Sequence, residues 1–306
     1  MEFPDPENDI HLFRIFDSGI SPDPLDEIVH LLKLIAPSAD KKLIINSHRD
    51  IQDIFSGYYP GFKQNMNKYH DLRHTYAVAL ATARLFHGTF IQGQTLSTLA
   101  ILKGMLSAYF HDTGLLLRSF DTAEKGAEYT RYHETRSINV LENYLKSWNF
   151  DDEIRVDCSS IIRCTNIEFD FESTEFSSSE IKRVAQIVGT ADLLAQMADR
   201  YYLEQLPHLY QERKAGGVVD HLSAFELMRG TTSFYHNVIM KRLETVLGDA
   251  AHAMRGHFKQ RWNLDRDLYK ENIKANIEYL QKVVDRCHAH PEDIYIYLRR
   301  RPPPIN

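Results

Sequence analysis

Residues 95–112 read Thr95-Leu96-Ser97-Thr98-Leu99-Ala100-Ile101-Leu102-Lys103-Gly104-Met105-Leu106-Ser107-Ala108-Tyr109-Phe110-His111-Asp112. The apolar residues from Leu96 to Phe110 do not keep to one stripe. Wound as a helix, they cover nearly every face, and such a helix belongs inside a fold. The surrounding chain reads as helix too. Thr75 to Phe86 is rich in Ala and Leu and stops near Gly88. Pro24 suits the first turn of a helix capped by Asp23 and ended by Pro37. Further helices are expected over 47–58, 131–148, 152–165, 221–247 and 258–287, and a long one from Ser179 or Glu180 to Leu206, ended by Pro207. Strand signal is scarce and no internal repeat stands out. The expected class is all-α, a multi-helix bundle.

Three regions are expected: an N-terminal helical extension over 1–60, a core over 61–206, and C-terminal helices over 207–306 that pack on the core or form an interface, so a homodimer is conceivable. Residues 1–22 read as irregular, as do 118–130. The acidic, Ser-rich stretch 168–179 reads as a surface loop pinned by Phe169, Phe171 and Phe176, with a lid over a pocket as the second reading. After Arg301, the prolines 302–304 exclude helix.

The 306 residues are enough for a large core, and 43% hydrophobic with 25% charged is an ordinary globular balance. A formal net charge of −6 gives no global attraction to duplex nucleic acid or an anionic membrane. Three cysteines, Cys158, Cys164 and Cys287, suit a reducing compartment rather than a disulfide framework. There is no signal-peptide pattern at Met1–Asp5 and no long apolar run, so a cytoplasmic protein is expected.

His111-Asp112 closes a buried helix, where a charged pair is costly unless something satisfies it. Asp192 poses the same problem in Ala191-Asp192-Leu193-Leu194, beside Ile187 and Val188. Upstream, Tyr69-His70-Asp71-Leu72-Arg73-His74 places two histidines four residues apart. A shared metal would satisfy His74, His111, Asp112 and Asp192 together. Imidazole with carboxylate suits Zn, Mn, Fe or Co and, with more oxygen ligands, Mg. Against this, the chain has 15 histidines, so any single one is more readily a core or surface residue. Cys287-His288-Ala289-His290 could be a soft-metal cluster but lacks a second pair at a familiar spacing.

The pattern His…His-Asp…Asp on successive helices resembles the HD superfamily of metal-dependent phosphohydrolases. Tyr69 to Val78 is similar, more narrowly, to the matching segment of the class I cyclic-nucleotide phosphodiesterases. The resemblance spans about residues 60–205. It implies an HD-type helical bundle holding one or two divalent metals on His74, His111, Asp112 and Asp192, with Asp112 able to bridge two ions. It implies His70 as general acid and places His133 and Glu134 by the second-metal water, helix surface being the other reading of His133. The implied reaction is hydrolysis of a phosphomonoester or phosphodiester, nucleotide-like or a cyclic nucleotide, by metal-activated hydroxide. Lys68, Arg73 and Phe234 are weaker candidates to touch the substrate. His-Asp-Thr-Gly at 111–114 replaces a longer string that carries another histidine. Gln196 lies too close to Asp192 to match the purine-binding glutamine. The alternatives are an HD-type di-iron oxygenase, which needs extra histidines, and a non-catalytic signalling module, which predicts a degraded ligand set.

Overall fold

The computed structural model describes residues 24–218 and 223–300. Twelve α-helices carry the fold: α1 (Pro24–Ile35), α2 (Lys41–Ser56), α3 (Leu72–Ile91), α4 (Thr98–Phe110), α5 (His133–Ser147), α6 (Asp152–Arg163), α7 (Ser179–Ala198), α8 (Tyr202–Ala215), α9 (Ala224–Phe234), α10 (Ala253–Trp262), α11 (Leu268–Arg286) and α12 (Ile294–Tyr297). No β-strand occurs among the described residues, so the all-α class holds. None of these helices is long and apolar enough to cross a membrane.

Helix α3 is the hub. Asp71 caps it, its carboxylate accepting the backbone N–H of His74 at 2.9 Å. From Val78 to Thr89 every residue is buried, which a helix manages only with neighbours on all sides. Those neighbours are α1, α4, α7 and α10. Small residues allow the approach: a Cβ on Gly88 would stand 1.9 Å from the Ala253 carbonyl oxygen of α10. Helix α4 is buried from Ala100 to Phe110, as its sequence requires. The N-terminal helices share this core, with Ile28, Leu31, Ile44 and Ile51 fully inaccessible.

Several boundaries differ from expectation. Helix α2 starts at Lys41, not residue 47, because Asp40 caps it; Gly57 ends it at φ 77°. Residues 126–130 of the expected loop, together with 131–132 of the helix expected after it, form a 3-10 segment. The long helix expected from Ser179 to Leu206 is two helices. Asn276 of α11 donates to the carbonyls of Met197 (2.9 Å) and Asp199 (2.8 Å), which stops α7 there. Asp199 turns extended and its carboxylate accepts the Tyr201 N–H, starting α8. Pro207 therefore lies inside α8 rather than ending a helix. The helix expected over 221–247 starts at Ala224 behind the Ser223 cap and widens into π-helical turns at Tyr235–Ile239 and Arg242–Val246. The one expected over 258–287 is broken by Asn263, at φ 55°, and restarts at the Asp267 cap. The stretch 168–179 is pinned by Phe171, with Phe169 and Phe176 packed against it. The expectations for residues 1–23, for residues 221–222 and for the tail beyond Arg300 fall outside the described residues.

A buried imidazole pair locks α3 to α10. His87 Nδ1 and His257 Nδ1 stand 3.2 Å apart, one donating and one accepting. Arg84, Tyr269, Glu27, His30 and Arg261 surround them. Burial, then the charges of Arg84, His87 and Arg261, hold His257 well below its ordinary 6.5. The unfolded chain takes up protons there that the folded chain refuses, so this stability is present above that value and lost as pH falls below it. The melting temperature should drop between about pH 7.5 and about pH 5.5, and His257→Gln should flatten that drop. Equal drops in both proteins would rule the pair out as the cause.

Candidate metal centre

Helices α3, α4 and α7 pack on one another, and each brings a donor to their common junction. His74 lies in the first turn of α3. His111 ends α4, and Asp112 follows it. Asp192 lies two thirds of the way along α7. His74 Nε2 is 3.4 Å from Asp112 Oδ2 and 3.2 Å from Asp192 Oδ1. His111 Nε2 is 3.1 Å from Asp112 Oδ2 and 3.7 Å from Asp192 Oδ1. Donors on one ion of zinc's size stand roughly 3.0–3.4 Å apart, given bonds of about 2.1 Å. Three of the four spacings lie in or at the edge of that range, and His74, His111 and Asp112 are all buried or nearly so.

The hydrogen bonds select the tautomer that a metal needs. His111 Nδ1 donates to the Ala108 carbonyl at 2.8 Å, which leaves Nε2 as a lone pair. That lone pair and Asp112 Oδ2 are both buried without a hydrogen-bond partner. Two acceptors facing each other repel unless positive charge lies between them. The titration behaviour carries the same demand. Burial opposes charge on His74, but the Asp112 and Asp192 carboxylates beside it outweigh it and lift the imidazole to about 10. His111 is raised as well, against its burial, by Asp112. Burial pushes Asp112 up, and the imidazoles around it bring it well below the usual carboxylate range. Protons meet this demand in the protein alone; a divalent cation meets it with more charge. The ligand atoms of His74, His111 and Asp112 converge closely enough to hold such an ion, with Asp192 beside both imidazoles.

A second group lines the same cleft. Gly114 lies so close to α5 that a Cβ would stand 1.9 Å from the His133 carbonyl oxygen. The Gly114 N–H also donates to Ser137 Oγ at 2.8 Å. This approach brings His133 Nε2 to 3.7 Å from Asp112 Oδ1. His133 Nδ1 donates to the Thr130 carbonyl, so its Nε2 is also a lone pair. His133 therefore belongs to the cleft and not to the helix surface. Glu134 accepts from Asn166 Nδ2 at 2.6 Å. Asn166 is held in turn by Arg242, whose guanidinium donates to the carbonyls of Asn166 and Ile167, both at 2.7 Å.

His70 takes no part in the donor cluster. Its Nδ1 donates to Glu212 Oε2 at 2.7 Å. Glu212 Oε1 accepts the backbone N–H groups of Lys68 (2.8 Å) and Tyr69 (2.7 Å). Burial alone would raise Glu212, but the His70 bond and these amides bring it below its ordinary range. Burial opposes charge on His70, and Asp112 and Glu212 together raise it above 6.5. His70 thus takes up a proton more readily than a free imidazole, at the edge of the cleft.

The cleft encloses about 640 Å³ and is lined by His70, His74, Asp112, His133, Glu134 and Asp192, and also by Gln196, Phe234 and Ile239. Phe234 thus meets the cleft, though it is 45% exposed. Lys68 and Arg73 do not line it. Lys68 is exposed and supplies only its backbone N–H, and Arg73 stacks its guanidinium 5.4 Å from the Tyr201 ring. His288 and His290 are exposed while Cys287 is buried, so that triplet does not converge. Glu212, Asn166 and Arg242 are the residues that sequence reasoning missed. Glu212 lies 142 residues from its histidine, in a helix whose local pattern marks it as one more charged residue.

Because His74 must shed a proton to bind an ion, metal uptake should release protons. Calorimetric titration of zinc in two buffers of different ionisation enthalpy should show this, with affinity rising between about pH 6 and about pH 8. A pH-independent affinity would contradict the assignment of His74 as a ligand.

No curated protein matches the chain. A family model described as Npun_R2479-like matches residues 63–261, which include every donor, His70, Glu212 and Arg242. That match covers well over half of the sequence, and the chain belongs to the Npun_R2479-like family.

Proposed function

We propose that this protein is a metal-dependent phosphohydrolase of the HD type, cleaving a phosphomonoester or phosphodiester with His70 as general acid. One observation carries the reading. A histidine hydrogen-bonded to a buried carboxylate stands beside a cluster of two imidazoles and two carboxylates whose spacings suit a cation. A divalent ion there would polarise a phosphoryl oxygen and make water nucleophilic near neutral pH.

The remaining steps belong to the protein. His70 gives its Nε2 proton to the leaving oxygen as the P–O bond breaks. Glu212 keeps the ring oriented through Nδ1 and stabilises the imidazolium until that transfer. Asp112 raises His70 only while its own charge is unscreened; a cation on Asp112 offsets that, so Glu212 is what keeps His70 protonated in the loaded enzyme. His133 Nε2 can accept a hydrogen bond from water on the Asp112 side, and Glu134, fixed by Asn166, borders the same space. The di-iron oxygenase reading wants further imidazoles, and beyond α6 the cleft wall offers Thr165 and Asn166 instead. A non-catalytic module would not need to retain four converging donors and a buried acid dyad.

Asp112→Ala should abolish both metal retention and turnover. His70→Ala should retain the metal and lose about 10²–10⁴-fold in rate on alkyl phosphate esters, with a much smaller loss on p-nitrophenyl esters, whose leaving group needs no proton. Equal losses on both would refute the general-acid role. Glu212→Gln should shift the alkaline limb of the pH–rate profile down by about one unit, since His70 loses its nearest anion. An unmoved limb would show that Glu212 does not set the acidity of His70.

A further inference from the structure

We propose that Arg131 and Arg213 form a second anion subsite in the same cleft, so that the substrate carries a phosphate or carboxylate group in addition to the one that meets the metal centre. This rests on the preceding reading, in which a phosphate binds at the metal centre.

Both arginines line the cleft together with His70, His74, Asp112 and Asp192, and neither has a part in the chemistry described above. Arg213 follows Glu212 on α8. Arg131 precedes His133 by two residues, at the end of the 3-10 segment Gly126–Tyr132. Their placement is rigid, because these two elements pack closely. A Cβ on Gly216 would stand 2.6 Å from Thr130 Oγ1 and 2.7 Å from the Ala127 carbonyl oxygen. Arg131 Nη2 donates to the Gly217 carbonyl at 2.5 Å, and Arg213 Nη2 donates to the Val218 carbonyl at 3.1 Å. One turn therefore ties both guanidinium groups to the same wall.

Holding that turn does not use up their donors. A guanidinium has five N–H groups. Arg213 Nε is buried with no acceptor, a loss the fold tolerates at a cost. Neither arginine has a carboxylate within ion-pairing distance among the described residues. Of the acids that line the cleft, Glu134 holds Asn166 and Asp112 and Asp192 face the imidazoles, while Glu168, which lines it too, pairs with neither arginine among the described residues. Two cations thus line a cleft in a chain of net charge −6. A planar guanidinium presents its donors in the geometry of a phosphate or carboxylate, and a bound anion would give Arg213 Nε its acceptor.

The test is binding to the zinc-loaded full chain, by calorimetry, of alkylphosphonates against alkane bisphosphonates and phosphonocarboxylates with spacers of increasing length. One spacer length should bind at least about tenfold tighter than the matching monophosphonate, as a charge-assisted contact implies. Arg131→Gln and Arg213→Gln should each remove most of that gain while leaving monophosphonate affinity unchanged, which also reports that the variants are folded. A larger gain for the bisphosphonate than for the phosphonocarboxylate identifies the second group as phosphate, and the reverse identifies it as carboxylate. If the monophosphonate binds and no spacer improves on it, or the gain survives both substitutions, the subsite is refuted and the metal-centre reading stands. If no phosphonate binds, both fall.

Discussion

His111 Nε2 and Asp112 Oδ2 face each other across 3.1 Å, buried, each without a hydrogen-bond partner. Much of the architecture exists to hold this unfavourable pair in place. His111 cannot turn away, because its Nδ1 is fixed to its own helix at Ala108. Asp112 cannot withdraw, because the next turn is tied at Thr113 to Phe110 and at Gly114 to Ser137. His74 and Asp192 close the remaining sides from helices that are themselves buried. On the proposed reading, a cation would offset the cost of holding these groups together, and the fold would thereby contribute to metal affinity.

The scaffold reaches the site through points where backbones nearly touch. Gly114 against His133, Gly126 against the Leu115 carbonyl and Gly216 against residues 127–130 leave no room for a side chain. These three contacts join the loop after Asp112, the 3-10 segment and α8 into one wall. His133 and Arg131 ride on that wall, and Glu212 enters from it. The glycine in His-Asp-Thr-Gly therefore has a positive role. It lets α5 approach closely enough to bring His133 to the cleft.

The parts legible in the sequence are those whose cost is local. A helix apolar on every face must be buried, and a His-Asp doublet at its end must be satisfied; residues 98–112 state both within one window. Asp192 is legible for the same reason, as a carboxylate on an apolar helix. What was not legible depends on tertiary partners. Helix α7 ends because Asn276, 79 residues away, takes the carbonyl of Met197. With that break made elsewhere, Pro207 had no helix to end. Glu212 becomes a site residue only because α8 lies against residues 68–70, and Lys68 and Arg73 fail as cleft residues because their side chains point to solvent and to Tyr201. A sequence window registers the price of burial, but it does not register which distant group meets it.

The division of charge around the cleft bears on how the site would work. On the proposed reading, two carboxylates, Asp112 and Asp192, would serve the cation, and a third, Glu212, bonds to His70. If one carboxylate did both, loading the metal would strip His70 of its proton when that proton is needed. Separating them lets the cation neutralise its own ligands and leaves the Glu212–His70 pair intact, since Glu212 is anchored independently by the amides of Lys68 and Tyr69. The two amide donors also hold Glu212 ionised in a buried position, where an unsupported carboxylate would take up the proton itself. On the proposed reading, the share of His70's basicity that comes from Glu212 would survive the loading of a cation on Asp112, while the share that comes from Asp112 would not.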